Sequence, residues 1–224
     1  MDFKLDLIWN ARVPLLKGTL VTLEVAVLAL GVALVLGLPV ALLRMSRFKV
    51  VKLPAFLYVQ FFRGTALYVL ILWVFFGLAI AFGINLPPFE SAVICLGLLN
   101  SAYMSEIYRT GIGTVGIGQW EAARSLGVGE LPIFRLVVLP QAIRIIIPSA
   151  ANLFVDMLKD AAIVGVVGVW DLMKQADRLT KFHFRPFEFY TASAVIYFVL
   201  VFSFSRLVGV IERRFSRHVQ MRGG

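Results

Sequence analysis

The sequence predicts an all-α membrane protein, a five-transmembrane-helix bundle forming one domain over 1–224, and three observations carry that expectation. Of the 224 residues, 60% are hydrophobic and only 16% charged, where a soluble domain carries roughly a quarter charged residues. The apolar residues run in long continuous stretches, which argues against the alternating pattern of a membrane β-barrel. Five of these stretches reach the roughly 20 residues that a helix needs to cross about 30 Å of hydrocarbon, where backbone groups must be satisfied within the chain.

In chain order the expected spans are 19–43, 54–84, 89–108, 145–170 and 189–210. The first is too long for a signal-peptide core and lacks a short basic leader, so it reads as a retained anchor. Arg44, Arg47, Lys49 and Lys52 close it, and Asn85, Pro87 and Pro88 separate the second span from the third. Asp156, Lys159 and Asp160 interrupt the fourth. Between the third and fourth lies a polar connection, 109–144, that is itself half apolar and too small for a soluble domain. Gly31, Gly165 and Gly168 are expected to permit close helix approach.

The net charge is +9, but the basic residues stand at the ends of apolar runs and not along one hydrophilic face, so membrane topology explains them better than nucleic acid does. Five crossings put the termini on opposite sides. With the N-terminus outside, the inner segments hold Arg44, Arg47, Lys49, Lys52, Arg109, Arg124, Arg135, Arg144, Arg206, Arg213, Arg214, Arg217 and Arg222. The outer segments then hold only Lys4, Arg12, Lys17, Lys174, Arg178, Lys181 and Arg185. The positive-inside rule therefore favours N-terminus outside and C-terminus cytoplasmic.

Catalytic chemistry has no foothold. There is no Gly-Lys dipeptide, hence no phosphate-binding loop of the Walker type, and no HExxH pattern. The single Cys95 and two histidines give neither an internal disulfide nor zinc-type spacing. No metal or cofactor bound by this chain is expected, and it is read as a non-enzyme.

Polar side chains within the spans are costly, roughly 2.5 to 3.5 kcal/mol for each charge, and usually face a bundle interior or a wet cavity. Those here are Glu24, Arg63, Asn100, Tyr103, Glu106, Asp156, Lys159 and Asp160. Asp156, Lys159 and Asp160 share one helix face, which Asn152 continues. One reading has this face, with Asn100, Tyr103 and Arg63, lining a passage for a zwitterion. In the other, Lys159 neutralises its neighbours and Arg63 snorkels to the surface. Glu106 is set to pair with Arg109, three residues on, and Glu24 reads as a rim residue.

The connection reads as a turn, a short helix and a turn. Gln119 to Leu126 are good helix formers, Gly127 suits a left-handed C-cap, and Ala122 with Ala123 offers a surface that another backbone can approach closely. On spacing alone it is either a docking helix or an interfacial amphipathic helix.

The fuller pattern, Glu121-Ala122-Ala123, then Gly127, then Val137-x-Leu139-Pro140, resembles the EAA loop of the permease subunits of ABC importers, with Val137 where isoleucine is usual. Four further blocks resemble the polar amino acid permeases: Phe62-Arg63-Gly64-Thr65; Asn100-Ser101-Ala102-Tyr103 with Glu106; Leu139-Pro140-Gln141-Ala142 with Arg144, Pro148 and Asn152; and Lys159-Asp160 followed by Val166, Gly168 and Val169. Ala66 stands where proline is frequent, and Ala161-Ala162-Ile163 where Thr-Ser-Leu is frequent.

The resemblance implies the type I importer fold and a bacterial cytoplasmic (inner) membrane. It implies that Glu121, Ala122, Ala123, Gly127, Leu139 and Pro140 form a coupling element seated in an ATPase subunit. The implied partners are an ATPase dimer that binds ATP and magnesium, a second permease copy or a related permease, and an extracytoplasmic amino acid-binding protein. An ion-coupled secondary transporter or channel is the competing expectation, although no internal repeat accompanies it.

Overall fold

The computed structural model describes residues 4–216, all structured elements among them helical; Arg217 and Arg222 lie outside the described residues. The helices are α1 (Leu5–Asn10), α2 (Arg12–Met45), α3 (Lys49–Gly64), α4 (Leu67–Phe82), α5 (Pro88–Gly113), α6 (Ile117–Ser125), α7 (Glu130–Val167), α8 (Leu172–His183) and α9 (Pro186–Ser216).

Among the described residues three helical stretches are long and apolar enough to cross a membrane alone: Arg12–Met45, Glu130–Val167 and Pro186–Arg214. The expected span 54–84 is not one rod. It divides into α3 and α4, bent by 103° at Thr65–Ala66, where both residues are extended. Continuous hydropathy concealed the break, because an exposed apolar helix lying across the bundle scores like one lying along it. The expected span 89–108 falls within α5, whose 26 residues extend about 39 Å. Asn100, Ser101, Ser105 and Glu106 lower its apolarity, and α5 carries them inside the bundle with Asn100, Ser101 and Ser105 buried.

A stripe of small residues brings α2 onto α5. Val25, Ala29, Ala33, Gly37 and Ala41 recur every four residues and are buried, so the two backbones approach closely, as packing between membrane helices requires. A Cβ on Gly97 would lie 2.6 Å from Val32 Cγ1, and one on Gly37 would lie 2.9 Å from Met104 Cβ. Gly31, expected to serve this purpose, faces open space. The register, Val32 beside Gly97 and Gly37 beside Met104, makes α2 and α5 parallel, so the chain returns once between them. Helix α9 runs antiparallel to α7: Asn152 meets Glu212 and Phe154 meets Phe204.

At the far end from the α6 loop, α8 is locked onto α2 and α9. Asp171 caps α8 by accepting from Met173 N at 3.0 Å and Lys174 N at 3.1 Å, and Tyr197 donates to it at 3.4 Å. Leu172 N donates to Thr22 Oγ1 at 3.2 Å. Gly18 fits beneath Asp171 and Leu172 with no room for a Cβ, and Gly165 lies against the Asp171 carboxylate. Gly168, at φ 102°, ends the preceding helical turns.

Burial pushes the Asp171 carboxyl up to about 6 from 3.8, against the lowering effect of the cap bonds. The folded state therefore holds the proton more tightly than the unfolded chain does. Stability associated with this group is present below about pH 4 and is lost as pH rises toward 6. Asp171→Asn keeps an N-cap acceptor without the charge. Its thermal stability is expected to match the parent at pH 4 and exceed it at pH 7.5 by on the order of 1 to 3 kcal/mol. A melting curve of the purified protein at the two pH values checks this; an offset that does not change with pH would refute it.

Candidate functional site

Helix α6 is a nine-residue rod held away from the bundle by its own small core. Val115, Ile133 and Val138 are buried there, with Trp120, Ala123, Phe134 and Val137 packed around them. Ala123 thus faces inward, contrary to the expectation that it forms an approach surface with Ala122. The outward edge is Glu121, Ala122 and Arg124, all exposed. Sequence reasoning saw two alanines in a row, but each step along a helix turns about 100°, and that turn carries Ala123 onto the small core.

The helix ends in a Schellman turn. Gly127 has φ 75°, Gly127 N donates to Arg124 O at 2.8 Å and Val128 N donates to Ala123 O at 3.2 Å. Two side-chain bonds fix the orientation of the rod: Arg124 pairs with Glu130 at 2.7 Å, and Gln141 Nε2 donates to Gln119 Oε1 at 2.6 Å. Leu139 and Pro140 are exposed in α7, immediately before Gln141. Gln141, named from the sequence only as part of the Leu139-Pro140-Gln141-Ala142 block, makes the connection to α6.

The polar residues of the spans fall into two groups. In the first, three cations converge on Glu106. Arg44 pairs with Oε1, Arg63 reaches the same oxygen at 3.5 Å, and Arg109 holds Oε2 at 2.8 Å. The Arg63 guanidinium stands 5.2 Å from the Tyr103 ring centre. The expected Glu106–Arg109 pair is present, and Arg63 is tied to α5 through the same carboxylate. Arg44, read from sequence as a boundary charge, was missed because its partner is 62 positions away.

In the second group, on α7, Lys159 pairs with Asp156 at 2.6 Å, and the two side chains remain 55% and 61% exposed. Asp160 is half-buried and has no partner within ion-pair distance among the described residues. Lys159 therefore neutralises one neighbour and not both. Asn152 donates to Glu212 Oε1 at 2.7 Å. Asn100 is 2% exposed, with its amide donating to Leu96 O at 2.8 Å, so the structure separates it from this face.

Residues 33–217 match the profile of the family described as the binding-protein-dependent transport system inner membrane component. The chain belongs to that family. It is therefore an integral inner-membrane transport component and carries out no covalent chemistry itself. Relatives of this permease include the arginine transport system permease protein ArtQ of Bacillus subtilis (strain 168), 33% identical over 214 residues, or 94% of this chain and 98% of that one. A protein of the same organism named as a glutamine ABC transporter permease, GlnM, is 37% identical over 196 residues, covering 88% and 90%.

Among solved structures, an amino acid ABC transporter crystallised with histidines has a chain 41% identical, with a TM-score of 0.90, over 96% of this permease and all of that chain. An inward-facing MetNI methionine transporter, 20% identical with a TM-score of 0.78, shares the fold. These matches support an ATP-binding-cassette permease over the ion-coupled alternative.

Proposed function

We propose that this permease passes polar amino acids into the cytoplasm, working opposite a second copy or a related permease, with an ATPase dimer docked on α6. ATP and magnesium belong to that dimer. An extracytoplasmic binding protein delivers the cargo to the other side. The observation that carries this reading is the outward edge of α6: an exposed Glu121, without an ion pair among the described residues, and a small Ala122 on a rod braced from behind, at the junction of two long helices. A helix mounted this way transmits a push to α5 and α7 instead of absorbing it. Leu139 and Pro140 shape the first turns of the receiving helix.

The cargo route is proposed along Asn152, Asp156, Lys159 and Asp160. Two exposed charges amid an apolar helix cannot face lipid at roughly 2.5 to 3.5 kcal/mol each, so the face is suited to a wet passage between two chains. A zwitterion fits it: Asp160 offers a free carboxylate to an ammonium, and Lys159 offers a cation to a carboxylate. Tyr103 and Arg63 stand at the loop end of the bundle, where a released substrate would leave.

A thermal-shift screen of the purified complex against the standard amino acids tests the reading. A true substrate at a hundred times its Kd is expected to add about 2.7 kcal/mol of stability; no shift with any amino acid would count against the proposed cargo. Orientation is tested with impermeant maleimide, using Ser125→Cys and Lys181→Cys separately, because Cys95 is fully buried. In intact cells Lys181→Cys is expected to label and Ser125→Cys to stay unlabelled until the membrane is opened. Labelling of Ser125→Cys from outside would remove the coupling role.

A further inference from the structure

We propose that the arginine cluster around Glu106 binds the headgroup of an anionic phospholipid in the leaflet on the α6 side. Charge balance is the first reason. Three guanidinium groups share one carboxylate, which leaves an excess of two positive charges where α2, α3 and α5 meet. No other acidic side chain lies within ion-pair distance of these arginines among the described residues. Arg63 and Arg109 keep 42% and 47% of their side-chain surface open, and each guanidinium has more donors than its contacts to Glu106 use. A phosphate diester matches that fork geometry and supplies the missing negative charge.

The second reason is the surface beside the cluster. Helix α3 buries Ala55 and Val59 against the bundle and turns outward a stripe of Val50, Leu53, Leu57 and Phe61, all 57% exposed or more. Arg63 stands one turn beyond Val59, on the side of α3 that faces the bundle, and its guanidinium reaches Glu106 from the end of the helix. A helix bent 103° away from the span that follows it, apolar on its open face and basic at its ends with Lys49, Lys52 and Arg63, has the composition of an interfacial element. A lipid bound there would set its phosphate at Arg63 and Arg109, beside the end of α3, with its acyl chains passing around that end to the stripe. Free phosphate would meet the charges but leave the apolar stripe unused.

The test uses the intact transporter complex in detergent, titrated with dioctanoyl phosphatidylglycerol, dioctanoyl phosphatidylcholine and inorganic phosphate. Phosphatidylglycerol is expected to bind more tightly than phosphatidylcholine by about fivefold for each arginine engaged. Arg63→Gln with Arg109→Gln is expected to erase that preference and leave phosphatidylcholine binding unchanged. Glu106→Gln removes the competing carboxylate and is expected to tighten phosphatidylglycerol binding, the opposite of what a purely structural ion pair predicts. Inorganic phosphate competing as strongly as the lipid would overturn the proposal, as would an undiminished preference in the double variant. Should the double variant melt early without lipid, Arg63→Lys decides: retained preference supports the site, and complete loss overturns it.

Discussion

Glu121→Lys is expected to leave a folded permease that still assembles in the membrane but takes up substrate at least tenfold more slowly, with ATP hydrolysis no longer responsive to the binding protein. The fold survives because Glu121 is exposed on α6 and makes no ion pair among the described residues; the brace behind it uses Trp120, Ala123 and Gln119 instead. Reversing a charge that pairs across an interface costs about 2 to 5 kcal/mol, and each 1.4 kcal/mol is about tenfold. Gly127→Val should weaken coupling through a different route. Its φ of 75° is a left-handed conformation that costs a side-chain-bearing residue roughly 1 to 2 kcal/mol, so the Schellman turn opens and α6 loses its angle. Uptake and ATPase assays in proteoliposomes check both variants. Wild-type coupling in either one would show that α6 is not the lever.

The second large effect is expected at Asp160. Replacing it with alanine removes a carboxylate that has no ion-pair partner among the described residues, so little native pairing is lost and expression should be unchanged. A charge-assisted hydrogen bond to a substrate ammonium contributes roughly 1.5 to 3 kcal/mol. Asp160→Ala should therefore raise the substrate KM or Kd by roughly ten- to a hundredfold. Asp156→Ala should do less to the cargo and more to the helix, because Asp156 already holds Lys159 at 2.6 Å. Equal uptake curves for Asp160→Ala and the parent would remove Asp160 from the route. The contrast between the two neighbours separates a ligand group from a structural pair.

The sequence by itself determined the solvent, the helical class and the position of the short helix α6. Long unbroken apolar runs admit no other backbone arrangement in hydrocarbon, and Gly127 after a short run of helix formers marks a left-handed C-cap through local sterics alone. The Glu106–Arg109 pair was legible for the same reason, since three residues along a helix always lie on one side. Tertiary structure decided everything that depends on direction or on distant partners. The 103° break between α3 and α4 is invisible to hydropathy, which measures composition and not orientation. The convergence of Arg44 and Arg63 on Glu106 joins residues that only the packing of α2 and α3 on α5 brings together. The inward turn of Ala123, the burial of Asn100 and the freedom of Asp160 likewise depend on which face each helix presents. A helix carries its neighbours' spacing in its sequence; its rotation about its own axis is fixed by the bundle.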